Sequence, residues 1–435
     1  MSTLPPPERL EGFGLYNVSV SPVFRPRSLD ALREALATCA SSGSKPVFRG
    51  AGRSYGDAST NPAGPVVEMT GLNGIAGFDE VSGIVRAGAG LTLGELWKWS
   101  IPRGFWPPVV TGTMHVTLGG AVAMNVHGKN GWKKGTIGDH VESVSILREG
   151  GRVEEIARGT SAFDDIVGNW RLREPIVEVS LKLKKVATGY LDVEAFVAPN
   201  LAATLAGLDG AKEDWDYLVG WMDCWASGKS LGRSVLHVAN EHPAKEGEPR
   251  GLSVEEQLAD IRMGPVPVPI LLFGLKLTAA GPQMRFVNFG KYAAARLHGR
   301  ERYRQSLVAY SFLLDYLPGW NEAYRPGGFI QYQLFVPRDA AETAFEKALR
   351  LQHDLGVVSS LAVVKRHRAD RFAHGYALDG FSLALDFPVS RRNASRLIAL
   401  ARAFDALLLA CGGNTYKAKD CVGSVERLAA ARGAA

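Results

Sequence analysis

Glycine placement constrains this chain more than any other feature. Its first dense cluster is GAGRSYG (50–56), entered directly from the short apolar run Pro46-Val-Phe48. The spacing is G-x-G-x-x-x-G, one residue longer than the dinucleotide fingerprint G-x-G-x-x-G. The following DASTNPAGP cannot open a helix, so no helix dipole would face a pyrophosphate and the nicotinamide reading fails. What remains is a strand-to-turn nest, in which backbone N–H groups converge on an anion and glycine permits a positive φ. A plain tight turn would have no need of Arg53, Ser54 and Tyr55 between the glycines. A second loop, Gly119-Gly120, precedes AVAMNVHG, whose small apolar residues end at His127, Lys129 and Asn130. Alone it could be a buried Ala/Gly helix contact. Together the two loops point to a large phosphate-bearing cofactor.

The remaining composition narrows the class. With 46% hydrophobic and 22% charged residues, the 435-residue chain reads as an ordinary globular protein of two or three domains. Its formal charge of +6 is spread among interleaved acids, so nucleic acid is not an expected partner. The four cysteines show no C-x-x-C spacing and the nine histidines no H-x-H pair, so no metal site is expected. The N-terminus has no signal pattern, and the prolyl run 266–277 falls short of the ~20 residues that span a bilayer. A cytoplasmic protein is expected, with at most peripheral contact to the inner membrane.

Along the chain, Ser28 caps a helix striped by Leu29, Leu32, Leu36 and Ala40 and closed by Gly43. Strands are expected at 66–69 and 83–87, a helix at 93–99, and two antiparallel strands at 140–147 and 176–186. After about residue 186, alternating runs at 216–224 and 328–336 indicate an antiparallel sheet, with helices at 340–355 and 390–411. The prolyl 264–270 and the Arg-rich 297–306 read as mobile loops.

The motifs RGAGRSYGD and GTMHVTLGGAVAMNVHGKN resemble the FAD-binding domain of the vanillyl-alcohol oxidase/p-cresol methylhydroxylase (PCMH) superfamily. Within it, GWMDC, WNEAYRPGGFIQYQ, LALDFPV and TYKAKD, met in that order, resemble the decaprenylphosphoryl-β-D-ribose 2-oxidase family. The resemblance implies an α+β fold: an FAD domain over 1–186, a substrate domain on an antiparallel sheet over 187–411, and a return segment over 412–435. It implies non-covalent FAD, because Asp57 stands where covalently flavinylated members carry histidine. The pyrophosphate would lie on Arg49, Gly50, Ala51, Gly52, Arg53, Ser54, Tyr55 and Gly56. The ribityl chain and ring would lie on Gly112, Thr113, Val116, Thr117, Gly119, Gly120, Asn125, Val126, His127 and Gly128, with Ile176 and Tyr416 beside them.

The implied activity is oxidation of a secondary alcohol on a glycosyl or polyprenyl-phosphoryl sugar, with a reductase as the partner that completes an epimerisation. Lys419, Tyr416 and His127 would carry the chemistry, and Lys129, Trp221, Gln331, Gln333 and Lys365 would line the sugar pocket. Plainer readings stand beside these. Lys365 lies in KRHR and suits a solvated charge run, the two glutamines suit a surface strand, and Tyr55 and Trp221 suit a core. Three departures from the family matter. GNWRLRE (168–174) replaces a G-G-x-G-L-T-G run, which is expected to weaken FAD binding unless Arg171 or Arg173 contacts a phosphate. Ala384 stands where mycobacterial members carry cysteine, and the chain ends soon after YKAKD. An aldonolactone oxidase is the alternative enzyme, though that group's histidine- and tryptophan-rich C-terminal signature is missing. A flavin fold that binds without turnover is the non-enzyme alternative.

Overall fold

Helix Leu29–Ser41 forms where its stripe demands, with Ser28 Oγ accepting from the Ala31 N–H at 3.1 Å. It packs Leu32 against Val67, Met69, Leu147 and Val177. In the computed structural model, which describes residues 3–261, 268–278, 281–423 and 425–426, the first sheet runs Pro7–Glu11, Val18–Phe24, Val66–Glu68, Val47–Arg49. Its last strand, Val47–Arg49, lies parallel to Val66–Glu68 and ends at the first glycine loop. A second, antiparallel sheet runs Ile75–Asp79, Ile84–Gly88, Ile176–Lys182, Val141–Leu147, Val153–Ala157. Val179 lies opposite Val144 in its centre, both fully buried. The second strand expected to reach residue 186 stops at Lys182, and Lys184–Lys185 turn aside to pair with Phe105–Trp106.

The C-terminal half is one eight-stranded antiparallel sheet. Its order is Glu301–Ser306, Tyr190–Ala198, Ser234–Glu241, Tyr217–Met222, Leu361–His367, Gly380–Pro388, Phe329–Pro337, Asn414–Thr415. Period-two alternation gives the sheet two different faces. Leu334, Val336, Leu383, Leu385 and Phe387 turn one way, into a core shared with helices Leu201–Ala211, Ala341–Asp354 and Ala394–Cys411. Gln331, Gln333, Lys365, Ser382, Ala384 and Asp386 alternate with them and belong to the other face. The fold is α+β.

Two expectations need correction. The Arg-rich stretch is no loop: Glu301–Ser306 is an edge strand paired with Tyr190–Ala198, and Arg302 bonds Glu194 at 2.6 Å. Charges on an exposed edge hid the alternation, and such charges are how edges avoid further pairing. Of the prolyl stretch, 264–267 lie outside the described residues, while 268–270 open helix Val268–Thr278, where Pro269 sits in the tolerated first turn. No helix among the described residues is long and apolar enough to cross a membrane.

The two halves are held by close backbone stacking. A Cβ on Gly14 would lie 2.4 Å from the Phe329 carbonyl oxygen and 3.0 Å from that of Tyr55. Gly14 N–H donates to Tyr55 O at 3.2 Å, and Phe329 N–H donates to Gly14 O at 2.8 Å. Gly14→Ala should therefore cost about 1–3 kcal/mol through forced backbone displacement. A urea midpoint equal to that of the unchanged protein would contradict this packing.

Candidate active site

The first glycine loop takes its shape from its own strand. Arg49, at the strand end, folds back so that its guanidinium donates to Ser59 O at 2.8 Å and Glu11 O at 2.9 Å. Gly52, at φ +64°, passes over it; a Cβ there would sit 2.1 Å from Arg49 Nη2. Gly50 abuts the second loop, where its Cβ would strike Thr117 Oγ1 at 2.3 Å. Thr117 in turn caps helix Leu118–Ala123, accepting from Gly120 N–H at 3.3 Å. The loop preceding this helix is tied down by Asp315, which accepts from Thr113 Oγ1 at 2.8 Å and Met114 N–H at 2.6 Å.

Between these loops lie two cavities. The outer one, about 1050 Å³, is bounded by Gly50, Asp57, Thr117, Gly119, Gly120 and the stretch 169–176. The inner one, about 260 Å³, is enclosed by residues 50–55, the second loop and the polar face of the large sheet. They share Phe48, Gly50, Ala58, Thr117, Gly120, Ala123 and Trp170, so the two adjoin along one continuous wall. GNWRLRE contributes to the outer cavity, where the Arg171 guanidinium lies 4.3 Å from the Trp170 ring and Glu174 accepts from Arg148 at 2.5 Å.

The inner cavity has an unbalanced charge. Arg53, Lys129, Lys365 and Lys419 line it, and no carboxylate does. Lys419 Nζ lies 3.8 Å from the Tyr55 ring centroid and makes no ion pair or hydrogen bond among the described residues. Burial lowers its pKa, opposed by Asp386 and reinforced by Lys365. Asp386, wholly buried with Oδ2 unpartnered, is held up toward its protonated form by burial. Burial brings Lys365 down to about 8. Lys129 is depressed by burial and then by Lys365; its ammonium donates to the Tyr310 carbonyl and lies 4.5 Å from the Tyr310 ring. His127 is held well below the usual imidazole range by burial, then by Lys365, His367 and Lys419.

Gln333 Nε2 lies 3.2 Å from His127 Nε2 and 3.1 Å from Ser382 Oγ. With the amide so oriented, His127 Nε2 accepts and the ring proton sits on Nδ1. That Nδ1 is buried without a partner, as are Arg53 Nε and the Tyr55 hydroxyl. Three unpaired groups around one cavity need a partner rich in acceptors. FAD supplies such acceptors in its phosphates and ring carbonyls, and the two adjoining cavities give it both an inner and an outer compartment. The donor set fits the cofactor.

Of the residues expected from sequence, 50–55, Gly112, Thr113, Val116, Thr117, Gly120, Val126 and His127 border the inner cavity. Lys129, Gln331, Gln333, Lys365, Tyr416 and Lys419 join them. Gly119 and Ile176 border only the outer one. Five lie elsewhere. Arg49 braces the loop from behind, and the Gly56 carbonyl packs on Gly12. Asn125, at φ +43°, bonds Asp370 and Gly138. A Cβ on Gly128 would meet Asn130 Oδ1 at 2.7 Å, so this glycine serves a close turn. Trp221 shares its strand face with the cavity residue Val219 but packs further along, on Val235 and Tyr292 under Lys291. Sequence reasoning missed Asp386, His367 (4.8 Å from the His127 ring), Tyr376 (4.2 Å from Tyr416), Asp315 and the apolar wall Leu313, Leu314, Leu361 and Val363. The signal for Asp386 was present: one acid alternating with leucines in LALDF.

Comparison with known proteins bears on the cofactor class. Residues 20–157 match a family model described as an FAD binding domain. The chain is 29% identical over 424 residues to the decaprenylphosphoryl-β-D-ribose oxidase of Mycolicibacterium smegmatis, covering 95% of this chain and 89% of that one. It is 28% identical to an uncharacterized protein of Streptomyces coelicolor, over 76% of this chain and 89% of the relative. A D-lactate dehydrogenase of Anaerostipes hadrus is 27% identical over 29% of this chain and 28% of its own.

Neither cavity wall includes a cysteine, and Asp57 at the outer one cannot form a histidyl linkage. Acid precipitation of the yellow protein should therefore release the flavin to the supernatant, and colour kept in the pellet would contradict this. The chain carries an FAD-binding domain and is an FAD-dependent oxidoreductase resembling the decaprenylphosphoryl-β-D-ribose oxidases.

Proposed function

We propose that the protein oxidises a secondary hydroxyl of a sugar whose anomeric position carries a phosphoryl group linked to a polyprenyl chain. The observation that carries this reading is the inner cavity: four cationic side chains, no carboxylate, and an apolar wall of Leu313, Leu314, Leu361 and Val363. A neutral lactone would leave the cations without a counter-charge, which disfavours an aldonolactone. A phosphodiester linked to a lipid suits both the charge and the wall. The relative from M. smegmatis bears the name of an oxidase acting on such a compound. A reading without turnover is disfavoured because the altered 168–174 stretch borders mainly the outer cavity, while Lys419, Tyr416 and His127 converge on the inner one.

Bound FAD supplies the hydride acceptor. The chain's own residues handle orientation and the proton. Lys129 and Lys365 hold the phosphoryl group, while Gln331 and Gln333 hydrogen-bond the sugar hydroxyls from one strand face. Lys419, its charged form disfavoured by burial, takes the hydroxyl proton at Nζ, and nearby Asp386 favours the ammonium so formed. His127 Nδ1–H and the Tyr55 hydroxyl are donors aimed at the cofactor. Asp57 leaves FAD non-covalent. The ketone product then requires a reductase to complete an epimerisation. Residues 1–186, 187–411 and 412–435 are the proposed divisions of labour, with the last delivering Lys419, and the cytoplasmic face of the inner membrane is the proposed location.

Lys419→Ala and Lys419→Met should keep FAD bound yet slow its anaerobic reduction by substrate about 10²–10⁴-fold, the usual contribution of a positioned base. The base form is the neutral amine, so reduction of the unchanged protein should rise with pH through a pKa below that of a free lysine, then level off. Both substitutions should abolish that limb. Reduction near the original rate in Lys419→Met would remove this residue from the mechanism.

A further inference from the structure

All three exposed phenylalanines among the described residues lie on two successive helices, Val268–Thr278 and Met284–His298. Ile270, Phe273 and Leu277 form one stripe on the first, with Phe273 63% exposed. Phe286, Phe289 and Leu297 lie along the second, at 69%, 58% and 88% exposure. Both helices are anchored from the opposite side. Leu272 and Leu275 pack with Met284 on a cluster that includes Phe13, Tyr55 and Leu314. These last three also border the inner cavity, so one layer of side chains separates the exposed apolar surface from the site.

Charge on the same stretch has one sign. From Ile261 to Arg300 the sequence holds six Lys or Arg and no Asp or Glu. Lys276, Arg285 and Arg296 make no ion pair among the described residues. Exposed aromatic and aliphatic side chains beside unopposed cations are the pattern of a surface that lies in a bilayer interface and meets anionic headgroups. We propose that these two helices dock the protein on an anionic lipid surface, seating the inner cavity beside the bilayer. This extends the reading of a lipid-linked substrate and names the surface that would reach it.

Flotation of the FAD-loaded protein with vesicles tests the proposal without any substrate. Vesicles of equimolar phosphatidylcholine and phosphatidylglycerol should carry the protein upward, and pure phosphatidylcholine should carry much less. Phe273→Glu combined with Phe286→Glu should reduce partition at least about tenfold, since each ring leaves the interface for water. Both positions are solvent-exposed, so the variant should keep its flavin spectrum and far-UV circular dichroism. Three results would overturn the proposal: no flotation of the unchanged protein, equal flotation of the double variant, or a dimer in sedimentation that the double variant dissolves. Because substrate is absent, failure of the sugar reading leaves this measurement intact. That failure would show separately, as flavin unbleached by phosphoryl sugars in a protein that still floats.

Discussion

The position of the Tyr55 backbone is the constraint on which the rest depends. Its carbonyl accepts from Gly14 N–H at 3.2 Å, and its own N–H donates to Ala418 O at 3.0 Å. Gly14 is bonded in turn to Phe329, the first residue of the strand that carries Gln331 and Gln333. Asp420, one residue beyond Lys419, donates its N–H to Gln331 O at 2.8 Å and accepts from Gln331 N–H at 2.8 Å. Tyr16 closes the circuit by donating to the same carboxylate. Segments from the start, middle and end of the chain are therefore locked around one turn of the glycine loop. The lysine that would act as base directly follows Ala418, which is bonded to the loop that would hold the cofactor. Precision of that kind is what proton transfer in a positioned site requires.

Much of this was legible in the sequence because it depends on local rules. Glycines that tolerate positive φ or near contact marked both loops, and alternation in GFIQYQLFV put Gln331 and Gln333 on the face opposite Ile330, Tyr332 and Leu334. The remainder depends on where strands cross. Trp221 illustrates the limit. Its parity on the strand is that of the cavity residue Val219, but its distance along the strand puts it beneath helix Met284–His298 instead. The Arg-rich edge strand shows another limit, since its partners are carboxylates on Glu194 and Glu248 rather than apolar neighbours with a visible period. Lys365 could have been a solvated charge in KRHR. Arg366 instead alternates away from it to Asp209 and Asp379, while His367, two residues on, shares its face and bonds Ser382, so Lys365 faces the cavity.

Four cations around a cavity of about 260 Å³ cannot be there for stability. Each loses hydration on folding, and like charges at short range add to that cost. The pKa directions record it: Arg53, Lys129, Lys365 and Lys419 are all depressed, in every case with loss of hydration as the largest cause. The opposing acids, Asp315 near Arg53 and Asp386 near Lys419, are committed elsewhere or held toward their neutral form. The protein thus keeps its negative charge outside the cavity wall and leaves the wall positive. Two anions are available to satisfy it, the pyrophosphate of the cofactor and the phosphoryl group of the proposed substrate. Binding of either relieves a strain that the folded protein already bears, so affinity for anions and stability of the fold are linked by mass action. The same concentration of positive charge that is costly to bury is what would let a small set of side chains discriminate a phosphoryl sugar from a neutral one.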